Sequence, residues 1–506
     1  MRVLLSGHNL DVEVLRELRR EVLEPLRERF SPEALEGLSE EQLRRRAAEL
    51  GERTSALLGR DNWTPETLSA AYARVSRDPR ALDELRAIAR EEVDRARKSN
   101  QTIIFEYGHS SVAEHAAFNF DLIGVSRYAV EAVERHRMCS YTEKSQRYIL
   151  LEDDFVVPEE VREAGLLEEF VSAIREQNAL YHRLYERLRA RAFERHPELA
   201  AQERNHRMLE GWAKEDARYV ASLATEAQVG MTLNARNLEH MIARLASAEL
   251  SELRELAGHL HRAVEGVAPS LVKYVEPTDY HRLARKELRR EAEALFERHT
   301  QPSGAPEGFA HPPAEEEDVR LLYATPGADR LLAACLLHSG SGRPMEACRG
   351  LAEALSEGEL CGLIASTFRH TKGWDAALRE FENVDLIFEL TVSAGCFGQL
   401  KRHRMSTQNV QPYDPDLGCT VPPAVEEVGM RREFEGLMER TNRTYRGIAK
   451  RTPPAAPYVL TNAHRRRVLF KCNARELYHV SRLREDPHAQ WDIRDKAAKM
   501  LRLGRS

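Results

Sequence analysis

The feature that most constrains this chain is an internal repeat. Arg135-His136-Arg137-Met138-Cys139-Ser140-Tyr141-Thr142-Glu143-Lys144-Ser145-Gln146-Arg147-Tyr148 has a degenerate copy, Arg402-His403-Arg404-Met405-Ser406-Thr407-Gln408-Asn409-Val410-Gln411-Pro412-Tyr413-Asp414. Landmarks around the two runs recur in the same order. Period-two apolar spacing predicts a strand over 113–122, with Phe118, Phe120 and Leu122 on one face. The same spacing predicts a strand over 381–390, with Leu386, Phe388 and Leu390 in the matching places. A helix is expected to run into each Arg-His-Arg. Further on stand Asn234-Ala235-Arg236 and Asn473-Ala474-Arg475, with His240 and His479 at matching positions beyond them. Such a pattern predicts two copies of one folding unit.

Each copy is expected to be α+β, a central sheet flanked by long helices. The 506-residue chain is long enough for two cores. The breaker-rich stretch from Gln301 to Pro313 reads as a linker. The expected division is an N-terminal extension over 1–60, a first domain over 61–300, a linker over 301–316 and a second domain over 317–506. Within the extension, Val3-Leu4-Leu5 reads as a strand and Asp11 to Arg29 as helix. The helix-rich stretches 160–200 and 240–298 read as scaffold.

A formal charge of -6, with both signs interspersed, argues against a nucleic-acid or membrane surface, so an anionic ligand must be met locally. The N-terminus is too soon polar for a signal peptide or span, and a cytoplasmic protein is expected. Seven scattered cysteines form no zinc-ligand spacing, so no metal is expected; the regular interval between Cys335, Cys348 and Cys361 reads as chance within small-residue helices. No P-loop or dinucleotide glycine fingerprint is present.

Arg135, His136 and Arg137 at a helix end offer donors suited to a phosphate or the electron-rich edge of a flavin. The bland alternative is a solvated basic helix end. Ser145 and Arg147, two residues apart, can point the same way in an extended loop and clasp one anion. No histidine partner for Ser145 is visible, which argues against a covalent nucleophile.

Arg-His-Arg, then Ser, then Glu-x-Ser-x-Arg-Tyr resembles the signature of flavin-dependent thymidylate synthases. The resemblance extends through Gly108-His109-Ser110-Ser111-Val112-Ala113-Glu114-His115, Glu215-Asp216-Ala217-Arg218 and Asn234-Ala235-Arg236. It covers roughly residues 70–285. Residues 317–506 resemble a diverged second copy, best matched over Asn473 to Arg494. The resemblance implies an FAD-dependent methyltransferase making dTMP from dUMP with methylenetetrahydrofolate and NADPH. It would place His109, Ser111, Glu114, Arg135, His136, Arg137, Asn234, Arg236 and His240 around FAD. In the second copy it would place Arg402, His403, Arg404, Asn473, Arg475 and His479 there. Glu143, Ser145, Arg147 and Arg218 would bind dUMP and supply the catalytic contacts. Ser76 matches a flavin-contacting segment more weakly, and Thr142 departs from the usual Asn.

Losses divide between the halves. The family's Gln before Arg-His-Arg is Ala132 in the first half and Gln399 in the second; its arginine after Asn-Ala-Arg is Leu245 in the first and Arg484 in the second. Conversely, Ala377, Val410, Pro412, Asp414 and Pro457 stand where the first half has His109, Glu143, Ser145, Arg147 and Arg218. This division predicts a composite site in which Gln399 and Arg484 complete the Ser145/Arg147 loop. A homodimer would then form a pseudo-tetramer with two live and two dead sites. Arg244, beside Leu245, is a competing source of the missing arginine. The alternatives are a related flavoenzyme for another nucleotide, or an inactive homologue that binds flavin or nucleotide.

Overall fold

A computed structural model describes residues 1–299 and 318–505; the expected linker over 301–316 lies outside them. The described residues contain two four-stranded sheets of one topology. In the first, β1 (Arg2–His8), β2 (Ala117–Ser126), β3 (Ser140–Glu143) and β4 (Glu226–Asn234) lie in the order β1-β2-β4-β3. In the second, β5 (Val319–Ala324), β6 (Asp385–Ser393), β7 (Thr407–Val410) and β8 (Arg465–Asn473) lie in the order β5-β6-β8-β7. Even the irregularity repeats. β1 shifts register between Leu5 and Gly7 against β2, and β5 between Leu321 and Tyr323 against β6.

The predicted apolar faces are present. Phe118, Phe120, Leu122, Leu386, Phe388 and Leu390 are all buried. The strands begin later than the spacing suggested, because Ser110–His115 and Arg379–Asn383 form 3-10 turns ahead of them. Residues 1–60 are more than an extension. β1 forms an antiparallel edge of the first sheet, and the helix Glu40–Leu58 opens on a capping box between Ser39 and Gln42.

Two compact units interleave along the chain. The first comprises Met1–Val125, Met138–Lys144 and Ala227–Ala292; the second comprises Ser126–Arg137, Ser145–Glu226 and Glu293–Ser506. The compact units therefore do not coincide with the expected domains over 61–300 and 317–506. A large part of the first repeat belongs with the second.

Within the second unit, the helices that position the site are α1 (Arg127–Glu134), α2 (Leu167–Arg195), α3 (His206–Ala217), α4 (Ala394–Leu400), α5 (Arg431–Ala449), α6 (Ala474–Arg484) and α7 (Trp491–Gly504). Leu390, Phe388, Val468 and Phe470 of the sheet pack with Ile493 and Met500 of α7. Leu180, Tyr181 and Leu184 of α2 share a second core with Phe434, Leu437 and Met438 of α5. Burying each such side chain stabilises the unit by about 1.5–3 kcal/mol.

The two repeats meet along a self-complementary seam. Leu223 N donates to Leu460 O at 2.7 Å and Asn462 N to Ala221 O at 2.9 Å; Ala224 N donates to Tyr458 O and Ala463 N to Tyr219 O, both at 2.9 Å. Exchanging each residue for its repeat counterpart maps every bond in this set onto another. That is the hydrogen-bond pattern of a twofold interface, written within one chain.

Candidate active site

Within the second unit, Gln146 of the signature loop and Arg218 meet at this seam. Arg218 follows α3 directly and is buried, with its carbonyl oxygen accepting from Asn462 Nδ2 at 2.9 Å. The same amide nitrogen donates to Gln146 Oε1 at 3.0 Å. One second-repeat side chain thus ties together the signature loop and the turn after α3. The loop is also braced internally, since Ser145 Oγ accepts from Arg147 N at 3.2 Å.

Three arginines from both repeats are electrostatically coupled here. Arg147 pairs through Nε with Glu215 and donates through Nη2 to His488 O at 3.2 Å. Burial chiefly lowers the Arg218 pKa; Glu215 opposes this, while the charges of Arg147 and Arg127 add to it. Arg484 is pushed down to about 10, first by burial, then by Arg402 and Arg147, against the buried Cys396 thiol. Nε and Nη2 of Arg218 have no hydrogen-bond acceptor among the described residues. A buried guanidinium held beside like charge with two unmatched nitrogens is costly without an anion. The arrangement suits a phosphate.

Arg484 lies at the end of α6 and is closely held. Its Nη1 donates to Gln399 Oε1 at 3.2 Å, its Nη2 to Gln399 O at 3.0 Å and its Nε to His403 Nε2 at 2.9 Å. Gln399 and Arg484, expected to act together, are direct partners. Leu245 is buried in the first unit whereas Arg244 is exposed, so the adjacent arginine does not take the leucine's direction.

Several residues that sequence reading directed toward flavin have protein partners. The Asn234 and Asn473 side chains cap the helices they precede, accepting from Asn237 N and Glu476 N, both at 2.9 Å. Glu114 pairs with Arg236 at 2.5 Å in the first unit, where His109 and Ser111 are exposed on the adjacent turn. Arg475 is committed to Ala377 O and Glu382, both at 2.7 Å. His403 is 3% exposed and has both ring nitrogens engaged, so it offers none to a cofactor. Arg402 pairs with Glu134 at 3.3 Å and Arg404 donates to Arg137 O at 3.2 Å. His240 and His479 are exposed, and Glu143 lies in β3 of the first unit.

The degenerate loop has acquired structural contacts. Asp414, at the Arg147 position, caps a 3-10 turn by accepting from Asp416 N at 2.9 Å. Pro457, at the Arg218 position, is buried inside another 3-10 turn. Tyr413, at the Gln146 position, donates to Glu131 Oε1 at 2.6 Å. Arg466 lies over its ring, 3.9 Å from the centroid.

Sequence reading overlooked the segment after Arg484. Gln490 Nε2 donates to Tyr219 Oη at 2.7 Å, Tyr219 Oη to Asp492 Oδ2 at 3.0 Å, and Trp491 Nε1 to Asp216 Oδ1 at 2.8 Å. Burial, followed by Glu215's charge, pushes the Asp216 carboxyl up to about 7 against the Trp491 bond. The dense polar run His488-Ala489-Gln490-Trp491-Asp492 was the available signal. Among the described residues no helix is long and apolar enough to cross a membrane, and no group of three or more His, Cys, Asp or Glu could hold a metal.

Comparison with known proteins matches the family described as thymidylate synthase complementing protein over residues 58–270 and 320–506. A flavin-dependent thymidylate synthase of Clostridium tetani is 30% identical over 219 residues, covering 42% of this chain and 83% of the relative. A UPF0159 protein of Thermoplasma acidophilum is 25% identical over 470 residues, covering 85% of this chain and 91% of the relative. A UPF0159 protein of Chlamydia muridarum is 25% identical over 284 residues, covering 55% of this chain; the match spans about half of that relative, 52%.

Proposed function

This chain belongs to the thymidylate synthase complementing protein family, and from that premise we propose that it methylates dUMP reductively to dTMP at a composite site. The buried, acceptor-poor Arg218 beside Arg147 carries the reading. Together with Ser145, these guanidiniums clasp the nucleotide phosphate. Glu215 yields part of its hold on Arg147 when the phosphate enters. From the other repeat, Gln399 and Arg484 meet the pyrimidine, where Arg484 stabilises negative charge and Gln399 keeps its guanidinium oriented.

The donor set fits a flavin. The imidazole of His109 and the hydroxyl of Ser111 are exposed, and the half-buried Arg236, paired with Glu114, follows Asn234 at the helix end that it caps. They would hold FAD with Glu114 and His240 of the same unit. When bound and reduced, FAD supplies hydride. Methylenetetrahydrofolate is the one-carbon source and NADPH the reductant. The repeats are a tandem duplication, and two chains form the pseudo-tetramer with one live site per chain.

The direct test supplies purified protein with dUMP, methylenetetrahydrofolate and NADPH and measures thymidylate. Product formation that requires both Arg147 and Arg484 is expected. Flavin turnover without thymidylate would sink the assigned reaction, and product formation indifferent to Arg484 would sink the composite site.

A further inference from the structure

Arg484 is held by more than Gln399. Its Nε donates at 2.9 Å to Nε2 of His403, whose Nδ1 lies 3.3 Å from Glu476 Oε1. The chemistry sets the tautomer. A guanidinium has donors only, so His403 Nε2 must carry its lone pair and the ring proton must sit on Nδ1, facing the carboxylate. His403 and Glu476 are 3% and 7% exposed. Glu476 is placed by the fold itself, in the first turn of α6, where its backbone N–H is capped by Asn473. Arg484 terminates the same helix.

The internal repeat shows that these residues go together. The first repeat has His136 at the His403 position, but Asn237 and Leu245 at the positions of Glu476 and Arg484. Asn237 turns its side chain to Asn234 Oδ1 at 2.9 Å. The carboxylate is present in the copy that has the arginine and absent from the copy that lacks it.

We propose that Glu476 and His403 are positioning residues, a carboxylate–imidazole pair that fixes Arg484 for the nucleotide. This rests on the reading of Arg484 as a nucleotide-binding group. Of five guanidinium N–H donors, His403 and Gln399 take three, leaving two for the ligand. Protonation of His403 would set an N–H against an N–H and release one edge of the fork. The other groups facing the ring also lie on α6: Glu476 favours the imidazolium, whereas Arg484 and His479, whose ring is 5.9 Å away, oppose it. Burial is the largest influence and holds His403 below the ordinary imidazole value.

The test uses calorimetric dUMP affinity of the full-length flavoprotein between about pH 7.5 and 5, with flavin content measured alongside. His403→Leu is expected to weaken dUMP binding roughly tenfold at pH 7.5, the scale of one lost hydrogen bond to a charged group, with flavin content retained. His403→Gln, which keeps an acceptor, is expected to recover most of that loss. Wild-type affinity should fall more steeply toward pH 5 than that of His403→Gln; titration of the dUMP phosphate, with its second pKa near ~6, is common to both and cancels. Should His403→Leu fail to fold, the wild-type and His403→Gln pH comparison decides alone. Equal pH dependence in those two proteins, or equal affinity of a folded His403→Leu and wild type, overturns the positioning role while leaving the nucleotide site intact. Absence of dUMP binding by wild type overturns both.

Discussion

Glu131 Oε2 meets Arg466 Nη1 at 2.8 Å with both side chains 3% exposed, joining α1 of the first repeat to β8 of the second. Tyr413 also donates to the carboxylate, Arg127 lies 3.7 Å from it, and the charge of Lys401 further favours its ionised form. Opposite α1, a Cβ at Gly398 would lie 2.6 Å from Arg127 Nη2. Gly398 is the counterpart of Glu131, so the two copies of this helix position have taken unlike tasks. Removing Glu131 leaves two buried guanidiniums without their shared anion. Glu131→Ala should therefore destabilise the protein by about 3–5 kcal/mol, read from the chemical-denaturation midpoint. A change below ~1 kcal/mol would contradict a tightly coupled buried pair.

Arg218 should show the opposite balance between stability and function. Arg218→Met removes a buried guanidinium with two unmatched nitrogens and retains much of its apolar volume. Thermal stability should stay level or rise, while dUMP affinity falls at least roughly a hundredfold, the scale of two lost charge-assisted bonds. Equal losses of stability and affinity would mark Arg218 as a structural residue.

The degenerate loop should resist simple restoration. Pro412→Ser with Asp414→Arg recreates the signature residues but leaves Tyr413 bound to Glu131 and Pro457 at the Arg218 position. Calorimetry should still give one dUMP per chain. Two equivalents would show that side-chain identity alone had silenced the second loop.

Asp216 predicts a stability change with pH. Its folded value of about 7 lies above the ordinary 3.8, so the neutral form is favoured on folding. That contribution is fully present below about pH 4 and is lost as pH rises through 7. Asp216→Asn should flatten this interval and stabilise the protein at pH 8 by about 4 kcal/mol relative to wild type. The check is the denaturation midpoint measured from pH 5 to 8; an unchanged slope would falsify the assignment.

Much of the fold was legible because it rests on local periodicity. Phe118, Phe120, Leu122 and their counterparts alternate, and alternation on a half-buried sheet directs side chains to one face. Asn234 and Asn473 were visible as a matched pair, but their capping role depends on where the following helix begins. The divided losses singled out Gln399 and Arg484 together, and the structure makes them hydrogen-bond partners. The motif of His403 pointed toward flavin, whereas its protein partners, Arg484 and Glu476, lie far off in sequence and were not legible from the motif.

The sequence by itself determined that one pattern of strands and motif residues occurs twice and that the matching positions differ between the two copies, with Leu245 against Arg484 and Asp414 against Arg147. Only the tertiary structure decided how compact bodies are drawn from those copies, with Ser126–Arg137 and Ser145–Glu226 packed into the second unit. It also decided that Asn462 ties Gln146 to Arg218 and that His403 supports Arg484. The physical reason is range. Apolar alternation acts between near neighbours, whereas burial and hydrogen bonding depend on partners hundreds of positions away, and those partners determine whether a guanidinium is satisfied or left for a ligand.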